Sequence, residues 1–357
     1  MKTMHVKRHL WLIGLLLIGH NLAGWAEDLD SSKKKEINQS FAVGASDQLN
    51  VDNRYGSITV THWTKNEVAI QVIIVSKAGN DSRAQEGLER VQIELNKSGN
   101  TVYAITSIKN SAGWSNGNNS LTIDYYISMP SKLAASIAQK YGNINLPEKN
   151  EGKCSIEVAY GNIHAGSFTE PLRIDGKYSN IHLGDVKELS MDVRYCGNTV
   201  MGNAENVRID SKYSNLRLRN VDKLNLENSY GNVQIERAKV IAAEIKYSEA
   251  KVKNLTETLD LSSLSYSTLS VAELDAGFKR VQAEAHYGTL NLSISPQAAF
   301  RVSAEAIKYG KIEIKGLKIT ESNVENKVNH FYQINGGVNS QIRFEGNNYS
   351  NLKINAL

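Results

Sequence analysis

Residues 154–183 read CSIEVAYGNIHAGSFTEPLRIDGKYSNIHL. Two copies of one pattern lie in this stretch. In the first, Ile156 and Val158 alternate with polar neighbours, Tyr160 and Gly161 follow, and Ile163 restarts the alternation beyond Asn162. In the second, Ile174 leads to Tyr178, Ser179, Asn180 and Ile181. Alternation with a period of two is the signature of a strand that buries one face. A Tyr-Gly/Ser-Asn break between two such runs reads as a corner.

Outward from this stretch the pattern persists. The marker tyrosines are Tyr141, Tyr160, Tyr178, Tyr195, Tyr213, Tyr230, Tyr247, Tyr266, Tyr287 and Tyr309, spaced 17 to 22 residues apart, with outlying copies at Tyr55 and Tyr349. The residue after each is small, which a tight corner requires: Gly142, Gly231 and Gly288 in some copies, Ser214, Ser248 and Ser267 in others. Three and five residues after the tyrosine the chain is mostly apolar, with a polar residue between, as in Leu216, Arg217 and Leu218. A period near 20 residues outranks local structure in deciding the fold. It predicts an all-β, elongated, single-stranded β-solenoid of the β-helix or β-roll kind, with coils of about 17–22 residues and the handedness left open. Each coil reads as two short strands joined at the tyrosine corner.

In such a stack, like residues lie above like at roughly 4.8 Å, the spacing of paired strands. The tyrosines should form a structural ladder along one edge, each burying much of its ring. Asn143, Asn162, Asn180, Asn215, Asn232 and Asn351, two residues further on, suit a left-handed turn and can bond to a neighbouring copy. Lys177, Arg194, Lys212 and Lys246 immediately precede the tyrosines, while Asp175, Asp192, Asp210 and Glu244 stand two residues before those cations. The two rows neutralise each other, which argues against a polyanion track.

The formal net charge of the chain is +4. The first 26 residues combine Lys2, Lys7 and Arg8 with an apolar run from Leu10 to Ile18 and the small residues Gly24 and Ala26, the layout of a secretory signal peptide. Its removal takes away three basic residues and no acids, leaving +1, so no nucleic-acid partner is expected. The apolar run is about half of the ~20 residues needed to span a bilayer, so the mature chain should carry no transmembrane helix. Localisation is expected to be exported, in the periplasm or on the outer cell surface.

No catalytic, cofactor-binding or metal constellation emerges. His164 and His182 share an outward slot in adjacent coils and are weak surface candidates only, because a pair makes a poor metal site. Cys154 and Cys196 lie more than two coils apart, beyond disulfide reach, and are expected to be free thiols with Cys154 buried. The expected organisation is a signal peptide at 1–26, a mobile linker at 27–37, and an N-terminal β cap with a short helix at 38–130. Regular coils at 131–317 and a C-terminal coil and cap at 318–357 complete it. A Gly/Asn/Ser loop is expected around 110–120, and a bulge near Cys196.

The opening LNVDNRYGSITVTHWTKNEVAIQVII at residues 49–74, followed by repeats of the VAYGNIHA and GKYSNIHL kind, resembles the bacterial putative-adhesin family of unknown function. The resemblance spans about residues 45–357. It implies an exported β-solenoid of the cell envelope with no active site to carry over. The expectations are therefore a non-enzymatic adhesin or surface scaffold binding an envelope component or a glycan, or else a periplasmic structural or assembly protein in which self-association is possible. A polysaccharide-cleaving enzyme is a third class, resting on fold analogy alone.

Overall fold

The computed structural model describes residues 31–109 and 119–357. The expected signal peptide and most of the expected loop around 110–120 lie outside the described residues. Among the described residues, thirty strands and one helix, Asp81–Glu89, account for nearly all of the regular structure, which is all-β in class.

From Tyr141 to Tyr287 the repeats pair with one another in parallel and in chain order. Ahead of the corner, Ile156 lies between Ile137 and Ile174, and Ile174 in turn pairs with Met191. Beyond the corner, Ile163 lies between Ile144 and Ile181. These inward residues are fully buried, as are Leu216, Val233, Leu269 and Leu290 in later copies. Fully burying such a side chain contributes about 1.5–3 kcal/mol. The repetition of the pattern thus sets both the pairing register and the core.

A third inward column joins these two. Phe168, Val186, Ala204, Val221, Ala238 and Leu255 pair successively, eight or nine residues after their tyrosines. The two-strand reading of a coil missed it because its members range in size from Ala to Phe and its strand is as short as Ser167–Phe168. A second corner precedes it. There Asp185 accepts hydrogen bonds from the Asn203 backbone (2.7 Å) and side chain (3.1 Å), and Asn220 Nδ2 donates to Asn203 Oδ1 (2.6 Å).

Both ends depart from chain order. At the N-terminal end the coil carrying Tyr55 is flanked by the Tyr141 coil on one side and by Thr101–Ile108 and Ser120–Pro130 on the other. Glu67–Ala78 then pairs antiparallel with Ser120–Pro130, and Ser31–Ala42 antiparallel with Glu67–Ala78. The expectation of a mobile linker over 27–37 is therefore corrected for its described part. Ser31 to Ile37 belongs to the strand Ser31–Ala42, which is held by twelve residues of pairing, by the Ile37 and Phe41 side chains against the core and by a 2.7 Å ion pair from Lys33 to Asp81. The helix forms where expected, with the Asn80 side chain accepting the Arg83 N–H at 2.9 Å and Ala84 and Leu88 turned inward.

At the C-terminal end, Ser340–Asn347 inserts between Arg280–His286 and Phe300–Glu305. Asn351–Ala356 likewise inserts between Thr289–Ile294 and Ile312–Lys315. The division into regular coils to 317 and a terminal coil after it is thus corrected. The chain-order run ends with the Tyr287 coil, the Tyr349 coil comes next in space, and the Tyr309 coil lies outside it. A hairpin of Ile319–Glu325 and Asn329–Ile334 then pairs antiparallel with Phe300–Ala304.

Candidate functional site

The feature that recurs in every coil is the tyrosine corner. In eleven copies, Tyr55 through Tyr287 and Tyr349, the tyrosine itself adopts left-handed φ values of 49–64°. The left-handed residue was expected to be the asparagine two positions on; the corner instead turns at the tyrosine. That conformation costs an L-residue with a Cβ roughly 1–2 kcal/mol. It swings the phenol outward and sends the next residue inward, where space is minimal. A Cβ on Gly142 would lie 1.5 Å from the Gly56 carbonyl oxygen, and one on Gly231 would lie 1.9 Å from that of Ser214.

Serine corners use the same position differently. Ser214 Oγ donates to the Lys212 carbonyl (2.8 Å) and accepts the Cys196 backbone N–H (2.9 Å). Ser248 and Ser267 repeat the relay: Ser248 donates to Lys246 O at 2.6 Å, and its own N–H is accepted by Ser267 Oγ at 3.0 Å. A buried hydroxyl is thereby satisfied at both ends, the condition for placing one in a core.

Outside the corner the rings stack. From Tyr160 to Tyr287 successive centroids are 4.8–5.1 Å apart with planes within 2–9° of parallel. Tyr55 and Tyr141 extend the column at one end, and Tyr349 then Tyr309 at the other. Each ring covers its neighbours' faces, yet Tyr55 to Tyr287 remain 42–52 % exposed. The expectation that each ring buries much of its area is corrected accordingly, because a left-handed corner projects the side chain away from the core. No hydroxyl of the ladder makes a hydrogen bond within the described residues. The fully buried Tyr125 differs: it is not in the ladder, its hydroxyl meets Thr106 Oγ1 at 2.8 Å, and burial pushes its pKa up to about 12.

Beside Tyr213 to Tyr287 runs an open groove floored by Asn215, Asn232, Glu249, Thr268 and Thr289. The asparagines bond between coils as expected of them: Asn162 Nδ2 donates to Asn143 Oδ1 and Asn180 Nδ2 to Asn162 Oδ1, both at 2.9 Å. Three members of the cation row are matched to acids. Lys177 pairs with Asp175 at 3.2 Å, Lys246 with Glu244, and Arg194 bridges Asp192 (3.0 Å) and Asp210 (2.8 Å). Arg194 is held further above its ordinary range despite partial desolvation, by its hydrogen bond and charge contact with Asp210.

His164 and His182 stack at 5.1 Å, with Asn198 Nδ2 3.4 Å from His182 Nε2. No group of three or more His, Cys, Asp or Glu side chains suited to a metal occurs among the described residues. His62 lies apart, its Nδ1 3.0 Å from the Lys149 carbonyl, and burial lowers its pKa. Both cysteines are free. The expected burial of Cys154 is corrected, since it is only half-buried, whereas Cys196, in the inward corner slot, is fully buried. Burial nevertheless pushes the Cys154 thiol up to about 12. The extra residue near Cys196 is absorbed between Tyr195 and Asn198, and register is regained where Asn198 pairs with Asn180. Its cost appears one residue later, where Thr199 takes the inward slot of Ile181 and Leu216 and its buried Oγ1 finds no partner.

No family model and no curated protein matches the chain. Among solved structures, a putative adhesin from Parabacteroides distasonis ATCC 8503 is 12% identical, with 73% of this chain and 93% of that one covered at a TM-score of 0.34. A putative adhesin from Bacteroides fragilis NCTC 9343 is 11% identical over 90% of this chain and 97% of that one, with a TM-score of 0.28. A putative lipid binding protein from P. distasonis is 11% identical over 72% and 95%, with a TM-score of 0.31. The functional reading therefore rests on the geometry of this chain.

Proposed function

We propose that the chain is a non-enzymatic β-solenoid of the cell envelope, exported to the periplasm or outer surface, which acts as an adhesin or scaffold binding another envelope component or a glycan. The parallel pairing of each repeat with the next supports the single-stranded solenoid. The observation that carries the functional reading is the half-exposed tyrosine column, an uninterrupted one-dimensional array flanked by ion pairs such as Lys177 with Asp175 and Lys246 with Glu244. Arrays of this kind suit extended partners better than small substrates. Among the described residues no helix is long and apolar enough to cross a membrane.

Protease shaving of intact cells, with a periplasmic marker as control, tests the placement. Cleavage of the protein in intact cells supports surface binding, whereas protection until the outer envelope is opened removes the adhesin role. A periplasmic assembly role is the second reading, favoured by Ile319–Glu325, a terminal strand exposed at every position. Sedimentation that stays monomeric at all concentrations would count against it.

A further inference from the structure

We infer that the outer edge of the tyrosine column, between Tyr213 and Tyr287, is a binding track for a neutral, extended β-1,4-linked pyranose chain, one sugar per coil. This deepens the surface-binding reading above and rests on it.

Three observations converge. The first is strain. Eleven corners hold a tyrosine in a backbone conformation that glycine or asparagine adopts at less cost. Stacking returns about 0.5–1.5 kcal/mol per pair, comparable to the roughly 1–2 kcal/mol spent on each corner. Fold stability alone therefore does not select tyrosine, and persistent backbone strain points to use of the side chain it presents.

The second is what the stack leaves open. Ring faces are covered by neighbouring rings at 4.8–5.1 Å, so a sugar cannot lie flat on them. Ring edges and hydroxyls remain, and these hydroxyls have no hydrogen-bond partner among the described residues. They form a regularly spaced row of donor-acceptor groups beside the amides and hydroxyls of Asn215, Asn232, Thr268 and Thr289. A pyranose chain offers hydroxyls and ring oxygens in the same alternation.

The third is period and charge. An extended peptide rises 3.2–3.4 Å per residue and drifts out of step with a row spaced near 5 Å. An extended β-1,4-linked chain advances by about one coil spacing per sugar and stays in step. Along this stretch only Lys212 and Lys246 immediately precede ladder tyrosines, the other slots being Ser229, Ser265 and His286, and Lys246 is tied to Glu244, so no row of unmatched cations lies there to attract a polyanion. The neutral chain is the complementary one.

Calorimetric titration of the purified protein with cello- and chito-oligosaccharides from dimer to hexamer, with maltohexaose as the α-linked control, tests the inference. Affinity should rise with length for at least one β-1,4 series and not for maltohexaose. The variant Tyr213→Phe/Tyr230→Phe/Tyr247→Phe keeps the stacked rings and removes only hydroxyls. It should retain its melting temperature while binding weakens about tenfold or more, the expected loss of several hydrogen bonds. Equal binding by this variant, or affinity independent of length, overturns the track. If the protein adheres to whole cells or envelope fragments but to neither oligosaccharide series, this inference fails while the surface-binding reading stands. Binding to none of them removes both.

Discussion

Between Tyr141 and Tyr287 each coil hydrogen-bonds to the coil that follows it in the chain, so Ile156 meets Ile174 and Ile174 meets Met191. At the C-terminal end the Tyr349 coil instead sits between the Tyr287 and Tyr309 coils, and Ser350 Oγ donates to the Ala285 carbonyl 65 residues away. The same inward slots and the same tyrosine stack serve both regions. What differs is the length of chain closed by each contact. Lengthening a loop from about 18 to about 65 residues adds only roughly 1 kcal/mol of closure entropy, so interleaving the last coil is inexpensive. In return the chain terminus cannot peel away by itself, because the Tyr349 coil is held on both sides, by the Tyr287 coil and by the Tyr309 coil. The N-terminal end uses the same device, with Thr101–Ile108 and Ser120–Pro130 covering the Tyr55 coil.

Deletion breaks this comparison most severely. Removing residues 213–229 takes out one whole central coil, joins Lys212 to Tyr230 in register, and should give a shorter folded protein. Removing 340–357 should abolish cooperative thermal unfolding, because Phe300, Val302 and Leu290, all fully buried, lose the strands paired beside them. Circular dichroism melts of both deletions decide the matter, and equal tolerance would show that interleaving adds nothing. Within the interleaved coil, Phe344→Ala should cost about 3–5 kcal/mol by urea denaturation, the range for truncating a fully buried aromatic.

Smaller changes separate one corner from another. Gly142→Ala forces a Cβ against the Gly56 backbone, at the junction of the first regular coil with the N-terminal cap, and should cost about 1–3 kcal/mol. Thr199→Val removes the orphaned hydroxyl at the one irregular corner of the central run and should raise stability by about 1 kcal/mol. A destabilised valine variant would mean that the hydroxyl is bonded after all.

The smallest effect is electrostatic. Glu151 is held at about 2, below its ordinary 4.5, by the hydrogen bond from Lys149 and then by that from Ser131. A carboxylate depressed in the folded state contributes stability above its ordinary pKa, and that contribution fades as pH falls through about 2. Because the group faces solvent, Glu151→Gln should lower the melting temperature slightly at pH 7 and leave it unchanged near pH 2; a constant difference would refute the linkage.

Much of the coil was legible because a period-two alternation, repeated at a near-fixed interval, leaves few other ways to bury Ile163, Ile181 and Leu216 together. The ladder and the paired charge rows followed from the same repetition. The left-handed tyrosine did not. Rules of turn chemistry assign that conformation to glycine or asparagine, and only neighbouring rings make it tolerable here. The column from Phe168 to Leu255 was obscured by its varied sizes, and the inward aim of Cys196 by its corner position.

By itself the sequence determined which residues face inward, how long a coil is and that tyrosine recurs at each corner, since these depend on local periodicity and side-chain chemistry. The tertiary structure alone decided the spatial order of the end coils and which corner residue bears the strain. Copies of one repeat are interchangeable partners along the chain, and only loop lengths and packing at the ends choose between them.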